Sequence, residues 1–335
     1  MVSQIIYLEK RIYSKIITIK MFKFIIKKIH LAIFRLISIF LPYLRFLRFQ
    51  SLLINQLNTI RLKSNDSQNL NRLISKLNLK RKIVLLDVGA QDFEFDELFP
   101  KKYENYFEPI LVEPNPSEAA KLKKKFKVIQ SGLWSSKTTK ELYITGKNPG
   151  GTSMYKPYKD GFDLFHPDDN FFSQFDITKK IRVKCDTISN NLKKVKVKNL
   201  DYLKIHAQGA EFEILKGLGN YKPIMMNLEV QLFPQYQKVP NWTEMMSWIY
   251  KKGYMISSWK KVGGSIAQYP VQMNMIFIPN FSNPLGRKII NQNKDMFVAL
   301  MLFAGQIKLI QILSKKINFK KLKNDIRQLK DYYFY

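Results

Sequence analysis

Hydrophobic and polar positions alternate in two different ways along the chain. Up to about residue 62, apolar and basic residues interleave at helical spacing. Lys20, Lys23, Lys27 and Lys28 recur every three or four positions among isoleucines and phenylalanines, which gathers them on one side of a helix. From residue 81, short apolar runs alternate with helix-like segments. Strands are predicted at 82–88, 109–113, 126–130, 181–185, 201–206, 224–231, 254–259 and 272–278, and helices at 116–125, 209–218 and 241–252. Strands interleaved with helices argue for a doubly wound α/β fold with a mostly parallel sheet.

The same pattern divides the chain into a basic amphipathic helical extension (1–65), a central domain (66–280) and a basic helical C-terminal extension (281–335). The polar stretch Lys63–Asn69 marks the first boundary, and Pro279 closes the last predicted strand. Within the domain, residues 141–180 are rich in Gly, Pro, Asp and aromatic residues. A loop this long in a compact domain is more often functional than idle. Its aromatic part, Tyr155–Phe175, is suited either to closing over a ligand or to forming a small core of its own. Beyond the domain, Asp295–Leu313 reads as an apolar helix broken near Gly305 and Lys308, on the surface or packed against the domain.

Charge sharpens the division. The chain of 335 residues carries a formal net charge of +30. Residues 10–65 hold twelve Lys and Arg and no acid, and residues 280–335 hold eleven against three acids, so the excess is concentrated at the ends. The uncharged run Leu36–Leu44 there is far short of the ~18–20 residues that span a bilayer, and Pro42 interrupts it. No small-residue cleavage site follows, which argues against a secretory signal. The N-terminal segment therefore reads as a helix lying on an anionic membrane surface, or as an appendage packing on the domain or a second subunit. The first alternative places the protein in the cytoplasm, peripheral at the inner membrane face. Composition rich in Lys, Ile and Asn weakens net charge as a sign of nucleic acid. The single cysteine, Cys185, excludes an intrachain disulfide and sits in a strand-like run that suggests an ordinary buried thiol.

Three segments carry candidate chemistry. Asp87–Ala90 closes the first predicted strand, where Gly89 permits a tight turn and close approach of backbone N–H groups to a ligand. Glu113 lies 24 residues past Gly89 at the end of the second strand, where a carboxylate can accept both hydrogen bonds of a ribose diol. The third, Asp201–Gly217, runs as an apolar strand to His206, turns at Gln208-Gly209 and enters an acidic helix at Glu211. A strand-to-helix junction is where open α/β sheets bind ligands. No metal-ligand spacing is present, since Asp168-Asp169 stands alone and reads as a turn pair. An Asn/Asp-Pro-Pro-Tyr type base-holding motif is also missing, which argues against a nucleic-acid substrate.

Taken together, Asp87–Ala90, Glu113-Pro114, Leu203–Glu211 and Glu229-Val230 resemble, in order and spacing, the FkbM family of S-adenosylmethionine-dependent methyltransferases. Ser131–Trp134, Gly151–Met154 and Cys185–Ile188 are lesser matches. The resemblance covers roughly residues 81–280. It implies a Rossmann-like class I methyltransferase sandwich, with a seven-stranded, mostly parallel sheet whose last strand is antiparallel. It further implies methyl transfer from S-adenosylmethionine to oxygen, often a sugar hydroxyl of a glycan or lipid-linked precursor. Asp87, Gly89, Ala90, Glu113, Asn115, Gly132, Leu133 and His206 are the implied cofactor-binding positions, and His206, Glu211 and Glu229 the implied catalytic ones. The chain departs from the family in two places. Gln91-Asp92-Phe93 stands where a second glycine is usual, and Phe93 is expected to restrict backbone approach to the cofactor. His206 replaces a usual Asp. It can serve as general base, as a hydrogen-bonding group, or as the mark of a degraded site. The last of these corresponds to a non-catalytic or cofactor-binding-only protein on the same fold.

Overall fold

The computed structural model describes residues 73–317, apart from 78, 92, 97, 167–169 and 263–270. The predicted amphipathic segment before residue 65 and the Asp168-Asp169 pair lie outside the described residues. In chain order the strands are β1 (Ile83–Val88), β2 (Phe107–Val112), β3 (Lys127–Ile129), β4 (Gly132–Leu133), β5 (Thr138–Thr145), β6 (Ile177–Asp186), β7 (Tyr202–Ile205), β8 (Met225–Gln231), β9 (Tyr254–Lys261) and β10 (Gln272–Pro279). The helices are α1 (Pro116–Leu122), α2 (Lys159–Phe165), α3 (Ile188–Lys194), α4 (Glu211–Lys216), α5 (Trp242–Lys251), α6 (Pro284–Gln292), α7 (Lys294–Phe303) and α8 (Ile307–Leu313).

Seven strands form the main sheet in the order β3-β2-β1-β7-β8-β10-β9. β1 runs parallel to both β2 and β7, and β7 parallel to β8, whereas β10 is antiparallel to β8 and β9. The sheet is thus the seven-stranded, mostly parallel one expected, with an antiparallel last strand. The chain leaves β1 toward β2 on one side and returns to β7 on the other. This reversal opens a crevice at the carboxyl ends of β1 and β7, the position where open α/β sheets bind ligands.

The predicted strand at 181–185 belongs elsewhere. It is the end of β6, which pairs antiparallel with β5 and parallel with β4 in a separate three-stranded sheet. The two ends of the insertion, 141–145 and 177–180, therefore lie in paired strands, and the segment between them carries α2 and two short 3-10 helices. Its aromatic residues pack together: Phe162 stacks on Phe175 with ring centroids 4.0 Å apart, and Tyr236 closes the cluster edge-on. Of the two roles open to them, forming a small core is the one they fill.

Residues of β1 are buried throughout, as expected for a strand covered on both faces. Val84, Leu86 and Val88 join Leu203, Leu228 and Phe277 on one face, packed against α3, α4 and α5. Ile83 and Leu85 join Tyr202, Met225 and Ile278 on the other. That second face has an unusual cover. Among the described residues, the connection from β1 to β2 forms a short 3-10 helix at Lys101–Tyr106, and its Phe99 and Tyr103 cover part of this face. α7 and α8 cover the rest. Met296–Phe303 are buried without interruption, and Phe303 stacks on Tyr103 at 4.4 Å. A helix apolar on every side belongs inside protein. The break between α7 and α8 falls at Gly305, whose φ of 70° ends the helix. Among the described residues, no helix is long and apolar enough to cross a membrane.

Candidate active site at the carboxyl edge of the sheet

A cavity of about 440 Å3 opens over the carboxyl ends of β1, β2 and β7. Its size suits a small-molecule site. Gly89 forms the floor with φ +81°, and a Cβ there would stand 2.0 Å from the carbonyl oxygen of His206. Two strand ends cross backbone to backbone at this point, so only glycine fits. Phe93 does not obstruct the turn. Its ring packs edge-on against Phe126, 5.0 Å away, outside the cavity lining.

At the end of β2, Glu113 lines the cavity while only 5% exposed. Oε1 accepts a hydrogen bond from the backbone N–H of Asn115 at 2.8 Å, which leaves Oε2 for a ligand. Burial raises its pKa to about 7, only partly offset by that hydrogen bond. Asn115 also lines the cavity and caps α1 by accepting from Ser117 N. Leu133, Leu142, Met154 and Ile214 supply an apolar wall. A carboxylate poised for a diol, a side-chain-free turn and an apolar slot together fit an adenosyl group.

His206 and Gln208 line the opposite end of the cavity. The turn between β7 and α4 holds Gln208 and Gly209 at consecutive positive φ values of 52° and 100°. Strain at a non-glycine position is typical of functional turns. Glu211 holds the turn together, because its carboxylate accepts from the backbone N–H of Ala207 at 2.8 Å and of Gly209 at 2.9 Å. Behind it, Gln208 Nε2 donates to Glu229 Oε1 at 2.9 Å, and the Tyr236 hydroxyl is shared between Gln208 Oε1 and Gly151 O. Glu211 and Glu229 are both buried. Burial pushes Glu211 up to about 7, and burial plus the nearby Glu211 pushes Glu229 up to about 8.

The implied site residues thus separate into two groups. Gly89, Glu113, Asn115, Leu133 and His206 line one cavity, whereas Asp87, Ala90, Gly132, Glu211 and Glu229 do not. Ala90 is buried beside the turn, and Gly132 is pressed so closely by Cys185 and Met154 that a Cβ would overlap both. Asp87 points to the other face of the sheet. There its Oδ2 pairs with Lys204 Nζ at 3.1 Å, within a buried polar layer that includes Asp96, Tyr202 and Asn227. Burial raises the Asp87 pKa to about 6, with Lys204 holding it back. Among the described residues, Asp87 Oδ1, Asn227 Oδ1 and Gln231 Nε2 find no hydrogen-bond partner, a cost that functional sites commonly bear. Sequence reasoning missed Lys204, Gln91, Ser153 and Tyr236. Only Ser153 had a signal, through the Gly151–Met154 match. Its hydroxyl donates to Gln208 O at 2.7 Å and so ties the insertion to the β7 turn.

Residues 87–256 match the family model described as the Methyltransferase FkbM domain. No curated protein matches the chain. Among solved structures, precorrin-6y C5,15-methyltransferase from Geobacter metallireducens GS-15 matches at 13% identity, covering 63% of this chain and 88% of that one, with a TM-score of 0.28.

Proposed function

Because this chain belongs to the FkbM methyltransferase family, we propose that it methylates a sugar hydroxyl of a glycan or lipid-linked glycan precursor. S-adenosylmethionine supplies an activated sulfonium methyl group, so the protein's task is alignment and proton removal. Glu113 would hold the ribose diol, the backbone at Gly89 would approach the methionyl part, and Leu133, Leu142 and Ile214 would sandwich the base. The observation that carries the proposal is the convergence of Glu113, Gly89 and His206 on one cavity.

His206 is the proposed general base. It is the titratable side chain lining the cavity at the β7 end, and a neutral imidazole can take the hydroxyl proton as the C–O bond forms and the C–S bond breaks. Glu211 would act as a positioning residue, since its carboxylate is spent on the turn that presents His206 and Gln208. Glu229 would orient Gln208 in the same way. With a sugar acceptor in hand, His206→Ala should reduce kcat by 10²-fold or more while leaving S-adenosylmethionine affinity within about threefold. Full turnover by that variant would remove the base assignment. Absence of any calorimetric binding of S-adenosylmethionine to the parent chain would remove the enzyme reading altogether.

A further inference from the structure

A second cavity, of about 420 Å3, lies at the amino edge of the sheet, the end opposite the site described above. Met226 at the start of β8, Leu218 before it, Trp248 of α5, and Leu285 and Ile289 of α6 form its apolar wall. Lys216, Lys222 and Lys252 also line it, and among the described residues no carboxylate does. Lys216 shares its charge with Glu213, but Lys222 and Lys252 are exposed and pair with no acid among the described residues. Two of these ammonium groups sit over adjoining rings. Lys216 lies 4.8 Å from the Phe212 centroid and Lys252 5.2 Å from that of Trp248, while the two rings meet edge-on at 6.3 Å. A lysine held over a ring keeps N–H donors free for an anion. At the mouth, Leu285 is 48% exposed, and Lys288 follows it one turn later on the same side of α6.

Placement of Lys216 and Lys252 near helix C-termini accounts for part of their charge preference. It does not account for Lys222, for the apolar hollow between the three, or for an exposed leucine at its rim. Cationic rim, apolar wall and half-exposed leucine are complementary to an amphipathic anion. We propose that this cavity docks the phosphate head of an anionic membrane lipid, with the first part of its acyl chain against Met226 and Trp248. The proposal depends neither on the methyl acceptor nor on the chain termini.

The test uses the full-length chain and short-chain dihexanoyl phosphatidic acid below its micelle threshold, followed by calorimetry. Saturable binding is expected, weakened about tenfold or more by the double variant Lys222→Glu/Lys252→Glu. Dihexanoyl phosphatidylcholine and inorganic phosphate should bind at least about tenfold more weakly than phosphatidic acid. Leu285→Asp, at a half-exposed position where folding is spared, should also weaken the lipid but not inorganic phosphate. Co-sedimentation with phosphatidic acid vesicles should fall in the double variant relative to the parent. Affinity for S-adenosylmethionine, read at the opposite edge, should stay constant in every variant and so report an intact fold. Equal binding of the lipid by parent and double variant would overturn the proposal. Inorganic phosphate binding as tightly as the lipid would overturn it in favour of a free phosphate site.

Discussion

At the end of β2, Glu113 is a carboxyl group that burial holds partly protonated near neutrality. A diol needs the ionised form as acceptor, so affinity for S-adenosylmethionine should rise with pH through about 7, and Glu113→Ala should weaken it about tenfold or more and flatten the profile. Calorimetry across that range measures both. Glu229 has the opposite bearing on stability. Its folded-state pKa of about 8 lies above the ordinary carboxylate value, so between the two the native state holds a proton that the unfolded chain has lost. Stability therefore falls as pH rises from about 4.5 to about 8. Glu229→Gln, which mimics the protonated form, should recover about 1–3 kcal/mol at the alkaline end, seen in chemical denaturation at pH 8 against pH 5. Half of the implied site positions line the cavity, and Gly89 and Glu113 among them were legible because a glycine and an acid at strand ends have specific work to do. Asp87 was misplaced for a simple reason. Alternation along β1 sets Asp87 with Ile83 and Leu85 on the face where it meets Lys204, while Gly89 lies past the strand end, in the turn that reaches the cavity. Phe93 was misjudged because the path of a loop, unlike the alternation of a strand, has no period to read.

At the scale of elements, apolar runs bounded by turn residues located every strand of the main sheet within about two residues, since strands buried on both faces leave that mark. β5 and the first half of β6 were read as loop because they are half-exposed: Ile177–Lys180 carry solvent-facing residues, and their pattern alone resembles a coil. α3 was missed for a related reason. It is only seven residues long, with few buried positions. α7 was seen as apolar, but no local signal says that it covers the outer face of β1 and β7. Phe303→Ala removes a ring that stacks on Tyr103 and lies near Phe107, and should cost about 3–5 kcal/mol in urea denaturation. The same truncation at Ile312, which is 42% exposed, should cost under about 1 kcal/mol.

Across the whole molecule, positive charge gathers where the methyltransferase domain match does not reach, in residues 10–65 and 280–335. Deleting residues 1–62 should therefore lower flotation with anionic liposomes several-fold at low salt and spare S-adenosylmethionine binding. Unchanged flotation would detach the N-terminal segment from any membrane role. A different consequence comes from the helix pair that roofs the first strands. Because β1 is laid down more than two hundred residues before Phe297 and Phe303, its lower side cannot be sealed while the ribosome is still making the middle of the chain. Sealing must wait for that helix pair, and until then the newborn polypeptide exposes a greasy surface prone to aggregation.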